Sequence, residues 1–99
     1  MAEGQTVAIV AYEVNAEDED RFLEAWQLAQ DYLKEQSGFV DTALHKANSA
    51  AADFRFVNVA HWESDDAFRD AINSDGFRTA SGRLDPYPVH GAAYKVVQG

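Results

Sequence analysis

Ninety-nine residues suffice for one domain and not for two, and a domain of this size hides only about 60–65% of the surface its unfolded chain exposes. Cysteine is absent, which removes disulfides, thiolate metal sites and cysteine nucleophiles and fits a cytoplasmic protein. Seventeen acidic residues against eight basic give a formal charge of −9, a surface that repels nucleic-acid phosphates and anionic membranes alike.

No apolar run reaches the roughly 18 residues of a membrane span. Met1 to Thr6 is polar and lacks the basic-then-apolar order of a signal peptide. Val7 to Val14 (VAIVAYEV) is apolar and rich in β-branched side chains, the pattern of a strand covered on both faces. Asn15 is placed to cap a helix, with acid crowding its first turn. Glu13, Glu17, Asp18, Glu19, Asp20 and Glu24 read as a solvated helix start rather than a metal site. Phe22, Trp26, Ala29 and Leu33 recur at helical spacing, flanked by Leu23 and Leu28, and Ser37-Gly38 ends the run.

Phe39 to Lys46 (FVDTALHK) predicts a second strand, Asn48 to Asp53 a turn, and Phe54 to Trp62 (FRFVNVAHW) the clearest strand of the chain. Ser64 caps a second helix carrying Ala67, Phe68, Ala71 and Ile72. Asn73 to Gly76 interrupts it, and a short helical turn follows over Phe77 to Ser81. Gly82 to Pro88 is a loop pinned by two prolines, and Val89 to Val97 the last strand. The order β-α-β-β-α-β is the ferredoxin-like, split βαβ arrangement of the α+β class: an antiparallel sheet with its helices on one face, in one domain over residues 1–99. Two of the predicted strands are apolar on both faces, and the helices can cover only one. A second copy of the chain, packed through Val57 and Val59, is the expected cover for the other.

The third strand carries the unusual residue. Phe56, Asn58, Ala60 and Trp62 share one of its faces; Arg55, Val57, Val59 and His61 share the other. A polar Asn58 among apolar neighbours needs a partner, at a cost of roughly 1–3 kcal/mol if it has none. That partner is either a ligand carbonyl, or backbone or a buried water. Trp62 is either core packing or an apolar plate with one N–H donor. Four residues apart, the two stand roughly 13 Å apart, the span of a fused three- or four-ring aromatic. His45, His61 and His90 lie on three predicted strands with no metal-ligand spacing, and no nucleotide or flavin loop occurs. An oxidising enzyme built this way takes its electrons from the substrate.

The segment Phe54 to Phe68, FRFVNVAHWESDDAF, resembles the hallmark of the antibiotic biosynthesis monooxygenase family: a strand ending in Trp-Glu-Ser, then an acid-capped helix with an aromatic residue. Ser37 to His45, SGFVDTALH, is similar to the family's helix-to-strand joint, and the resemblance runs over about residues 7 to 97. It implies a dimeric α/β barrel. Within the family the chain looks like the small oxygenases of aromatic polyketide pathways, which oxidise an anthrone-type carbon to a quinone with molecular oxygen and no cofactor.

On that resemblance Asn58 and Trp62 are the catalytic donors. Phe22, Trp26, Phe56 and Phe68 form the walls, and Arg78 is a candidate phenolate partner. The implied partners are a small aromatic substrate, oxygen and a second copy of the chain; no cofactor or metal is implied. One departure concerns a pocket tyrosine of those oxygenases, six residues after the tryptophan, which falls on Phe68. Tyr12, Tyr32 and Tyr94 remain as hydroxyl sources, and no general base is identified. The family's haem-degrading branch uses a histidine where this chain has Ala71 and Ile72, and an asparagine where Val10 stands, which argues against haem degradation. The alternatives are another quinol-type oxidoreductase and a non-catalytic dimeric binding domain.

Overall fold

In the computed structural model, which describes residues 5–99, the first apolar run forms strand β1, Thr6–Tyr12. The polar Met1 to Gly4 lies outside the described residues. The run stops two residues short of the expected Val14, whose side chain instead enters the core beside Phe22 and Phe56. Asn15 takes an extended conformation but makes no side-chain cap; its carbonyl receives Asp18 N–H at 2.9 Å, and a 3₁₀ turn over Ala16–Asp18 precedes the helix. Helix α1 then runs Glu19–Leu33 and buries Phe22, Ala25, Ala29, Gln30 and Leu33. Its first turn is tied to the sheet by Glu19, which accepts hydrogen bonds from Lys46 and Arg55, each at 2.9 Å.

The turn after α1 ends on Gly38, at φ +89°, the left-handed conformation expected there. Strands β2, Phe39–Lys46, and β3, Phe56–Trp62, follow. β3 begins two residues later than the sequence suggests. The Arg55 side chain turns away to the Val14 carbonyl and to Glu19, at 2.9 Å each.

Ser64 caps helix α2, Asp65–Ile72, by accepting Ala67 N–H at 3.1 Å. Helix α3, Asp75–Ala80, starts earlier than the predicted turn because Ser74 caps it, accepting Phe77 N–H at 3.2 Å. A 3₁₀ turn at Gly82–Leu84 leads to β4, Val89–Tyr94, which ends short of Val97. Gly76 lets α3 approach α1: a Cβ there would come within 2.5 Å of the Tyr32 ring.

The sheet order is β2-β3-β1-β4, with every neighbouring pair antiparallel. This is the ferredoxin-like α+β fold. Strand alternation sends Thr6, Ala8, Tyr12, Phe56, Asn58, Ala60 and Trp62 toward the helices, where all are buried. Val7, Ile9, Ala11, Val57 and Val59 face the other way with no helix over them, and the molecule is only 16 Å thick along its shortest axis. By the strand register, all three histidines lie on this open face: His45 opposite Val57, His61 opposite Val7 and Asp41, His90 opposite Ala11.

Gly38 offers a direct check of the joint that aims β2 and α2. A Cβ there would meet the Ala67 Cβ at 2.5 Å, on a backbone conformation that L-residues avoid. Gly38→Ala should lower stability by about 2–4 kcal/mol in urea denaturation.

Candidate functional site

Two aromatic groups prop the helices off the sheet. Around Phe22, fully buried, stand Tyr12 at 4.9 Å edge-on, Phe56 stacked at 4.8 Å and Tyr87 edge-on at 5.3 Å between ring centroids. Around Trp62 stand Phe39 at 5.3 Å and Phe68 at 5.9 Å, both edge-on. Between the two groups lies a cavity of about 710 Å³, large enough for a molecule of three or four fused rings. Its sheet wall runs from Phe39 of β2 across Ala8, Val10, Asn58 and Trp62 to the exposed Gly91 and Ala92 of β4. The α1 wall is Ala29, Gln30 and Leu33, and the α2 wall includes Phe68, Arg69 and Ile72. The far side is closed by Phe77, Leu84 and Tyr87.

Asn58 sits in the middle of that sheet wall and is 4% exposed. Its carbonyl oxygen accepts the Thr42 hydroxyl at 2.6 Å. The partner of the amide oxygen is thus a neighbouring side chain, and not the ligand, backbone or water expected from the sequence. The consequence is orientation. With the oxygen held by Thr42, the amide N–H₂ is the end left for the cavity that Asn58 lines. Trp62 is 1% exposed and belongs at once to the core and to the cavity wall.

The other expected contacts divide. Phe68 lines the cavity. Phe22, Phe56 and Trp26 do not; they form the packed group beneath one end of it and act through the rings they support. Arg78 is also absent from the lining: its side chain is largely exposed and paired with Asp75. The arginine that reaches the cavity is Arg69, one residue after Phe68 on α2, with its Nε donating to Asp65 at 2.8 Å.

Of the three tyrosines offered for the hydroxyl missing at Phe68, Tyr12 lines the cavity. Tyr32 instead hydrogen-bonds Ser74 at 2.7 Å, and Tyr94 stands on the open face opposite Val7. Burial pushes the Tyr12 phenol up to about 12, so near neutral pH it is a fixed donor and not a base. The cavity-lining titratable groups are Tyr12, Asp65, Arg69, Asp85 and Tyr87, with no histidine among them. Among the described residues no three His, Cys, Asp or Glu side chains converge to hold a metal ion, and no helix is long and apolar enough to cross a membrane.

Gln30 and Thr42 are not among the site residues expected from the sequence, but Gln30 left a signal. It is the one polar position inside the stripe Phe22, Trp26, Ala29, Leu33. Thr42 left none, because its meeting with Asn58 depends on the register of β2 against β3.

Tyr12 carries a pH signature that reports this environment. Its ionised form is disfavoured in the fold, so the neutral tyrosine supports folding fully below its ordinary value near 10. That support is lost as pH rises through about 12. The loss should amount to about 2–3 kcal/mol. Tyr12→Phe should flatten the pH dependence of urea-melt stability between pH 10 and 12. An equal slope in the variant would show that the phenol is not held in an apolar site.

A family model described as antibiotic biosynthesis monooxygenase matches residues 6–83. No curated protein matches the chain significantly. Among solved structures, a monooxygenase candidate from Shewanella loihica PV-4 is 26% identical over 97% of each chain, with a TM-score of 0.85. SnoaB, a cofactor-independent oxygenase from Streptomyces nogalater, seen in an asparagine-to-alanine variant, is 21% identical over 97% of this chain and 96% of that one, with a TM-score of 0.81. A dimeric ferredoxin-like protein of unknown function from Jannaschia sp. CCS1 is 14% identical over 94% of this chain and 100% of that one, with a TM-score of 0.77.

Proposed function

The chain belongs to the antibiotic biosynthesis monooxygenase family, and from that premise we propose that it is a cofactor-independent monooxygenase, one domain throughout, that oxidises a polycyclic phenol of the anthrone type to a quinone. The observation that carries this reading is a roomy, mostly apolar cavity in which one buried amide, Asn58, is locked by Thr42 with its donor end toward the cavity.

The chemistry follows from what such a cavity does to its guest. The flat substrate lies between the Trp62 and Phe68 rings on one side and the Tyr12 and Tyr87 rings on the other. A phenol or benzylic C–H of such a ring system is acidic, because the anion is delocalised over all the rings. Asn58, placed where negative charge gathers on one substrate oxygen, and the Trp62 indole N–H, toward the other end of the ring system, lower the cost of forming that anion. Tyr12 supplies the neutral hydroxyl that Phe68 lacks.

The anion gives one electron to oxygen, the two radicals combine, and the peroxide loses water to leave the carbonyl. One substrate CH₂ and one O₂ yield one C=O and one H₂O, so the substrate is the only reductant. The SnoaB likeness supports an oxygenase of this cofactor-independent kind.

Oxygen uptake with 1,8-dihydroxyanthrone in metal-free buffer, without flavin, tests the reading. Stoichiometric quinone should form. Asn58→Ala should lower kcat by roughly 10²–10³ and should also cost about 1–2 kcal/mol of stability, because the Thr42 hydroxyl loses its acceptor. No uptake above the uncatalysed rate by the wild-type chain, with this substrate or a panel of hydroquinones, would leave a binding domain instead.

The working unit we propose is a homodimer closed through the open sheet face. Val7, Ile9, Ala11, Val57 and Val59 supply an apolar patch at its centre, and the dimeric ferredoxin-like relatives support this. Sedimentation at low micromolar concentration should give a dimer. Val57→Asp, which places an unpaired charge in that patch, should give an aggregated or unfolded chain. A stable wild-type monomer would refute the assembly.

A further inference from the structure

Gln30 lies in the buried stripe of α1 and is 6% exposed, yet the oxygen of its side-chain amide is fully buried with no hydrogen-bond partner. A leucine or methionine would fill the same volume without stranding a polar atom. The residue lines the cavity from the helix layer, across from the sheet layer that carries Asn58. The two amides therefore differ in kind. The amide of Asn58 is held by Thr42 and presents a fixed donor. The amide of Gln30 has no partner at its oxygen, and rotation about its last side-chain bond brings that oxygen to the cavity the residue lines.

We propose that Gln30 is a ligand-contacting residue whose amide oxygen accepts a hydrogen bond from a ring hydroxyl of the bound aromatic. The inference rests on the reading of the cavity as the site of a flat aromatic substrate, and it sharpens the substrate class. The preferred guest carries a carbonyl on the edge that meets Asn58 and a free hydroxyl on the edge that meets α1. A phenolic O–H is a strong donor, and an acceptor sealed away from water discriminates sharply against a ligand that lacks the hydroxyl. One other buried orphan stands close by. The indole nitrogen of Trp26, one helical turn earlier, also lacks a partner, so an internal Trp26–Gln30 hydrogen bond is the competing use of the same amide.

Two unreactive probes separate these uses: 2,6-dihydroxyanthraquinone, whose hydroxyls are remote from its carbonyls, and anthraquinone, which has none. Binding of each to the full chain is followed by quenching of tryptophan fluorescence, for the wild type, Gln30→Leu and Gln30→Met. The wild type should prefer the dihydroxy probe. Both variants should lose roughly 3–10-fold in affinity for it, the share of one neutral hydrogen bond, while affinity for anthraquinone changes less than twofold. The melting temperature without ligand should hold or rise, because a buried unpaired atom has been removed.

Equal losses on both probes, or no loss on either, would overturn the assignment while leaving the aromatic site standing. A lower melting temperature with hydroxyl discrimination intact would give the amide to Trp26 and likewise overturn it. If the wild type binds neither probe, the aromatic reading fails and this inference fails with it.

Discussion

Three helices packed on one side of a four-stranded sheet leave its other side bare, and the architecture of this protein follows from that asymmetry. The covered face holds every large buried side chain, from Phe22 to Trp62. The bare face holds Val7, Ile9, Ala11, Val57 and Val59, together with all three histidines. The chain thus separates two jobs by strand parity alone. One face encloses and the other is available for association, and a one-residue slip of register would exchange them.

The covered face is not filled. Aromatic rings at its two ends hold the helices away from the sheet, with Phe22 at the centre of one group and Trp62 at the centre of the other. The space between them stays open because small residues, Ala8, Ala29 and Ala60, lie along its walls. Packing at the ends and smallness in the middle make the cavity, and the connection between α3 and β4 adds Leu84 and Tyr87 to its far side. Asn58, on the inner wall, is itself 4% exposed, and a polar group so buried acts more strongly than one in open water. That is why the hydrogen bond from Thr42 to Asn58 matters beyond its own energy: it decides which end of the amide a guest meets.

The titratable groups follow the same division. Histidine, the side chain best suited to proton transfer near neutral pH, is confined to the open face, where His61 meets Asp41 and His90 meets Glu13. The cavity is lined instead by Tyr12, whose proton is held firmly by burial, and by Tyr87, Asp65, Asp85 and Arg69.

The sequence by itself determined the element order, the faces of the central strands and the position of Asn58 among apolar neighbours. Each of these depends on periodicity within one segment, and periodicity is local. The left-handed turn at Gly38 and the cap at Ser64 were legible for the same reason: one residue and its near neighbours suffice to specify them. The ends of elements were less legible. Arg55 leaves the expected strand for partners 41 and 36 positions away, and Ser74 starts a helix whose place also depends on Tyr32, 42 positions away.

Only the tertiary structure decided which residues share the cavity. It set Phe22, Phe56 and Trp26 behind the wall, placed Arg78 outside and Arg69 inside, and brought Tyr12 and Tyr87 to the cavity while leaving Tyr32 and Tyr94 out of it. Those outcomes turn on helix rotation and on the register between strands distant in sequence. Both are fixed by how whole faces pack together, and no single segment carries that information.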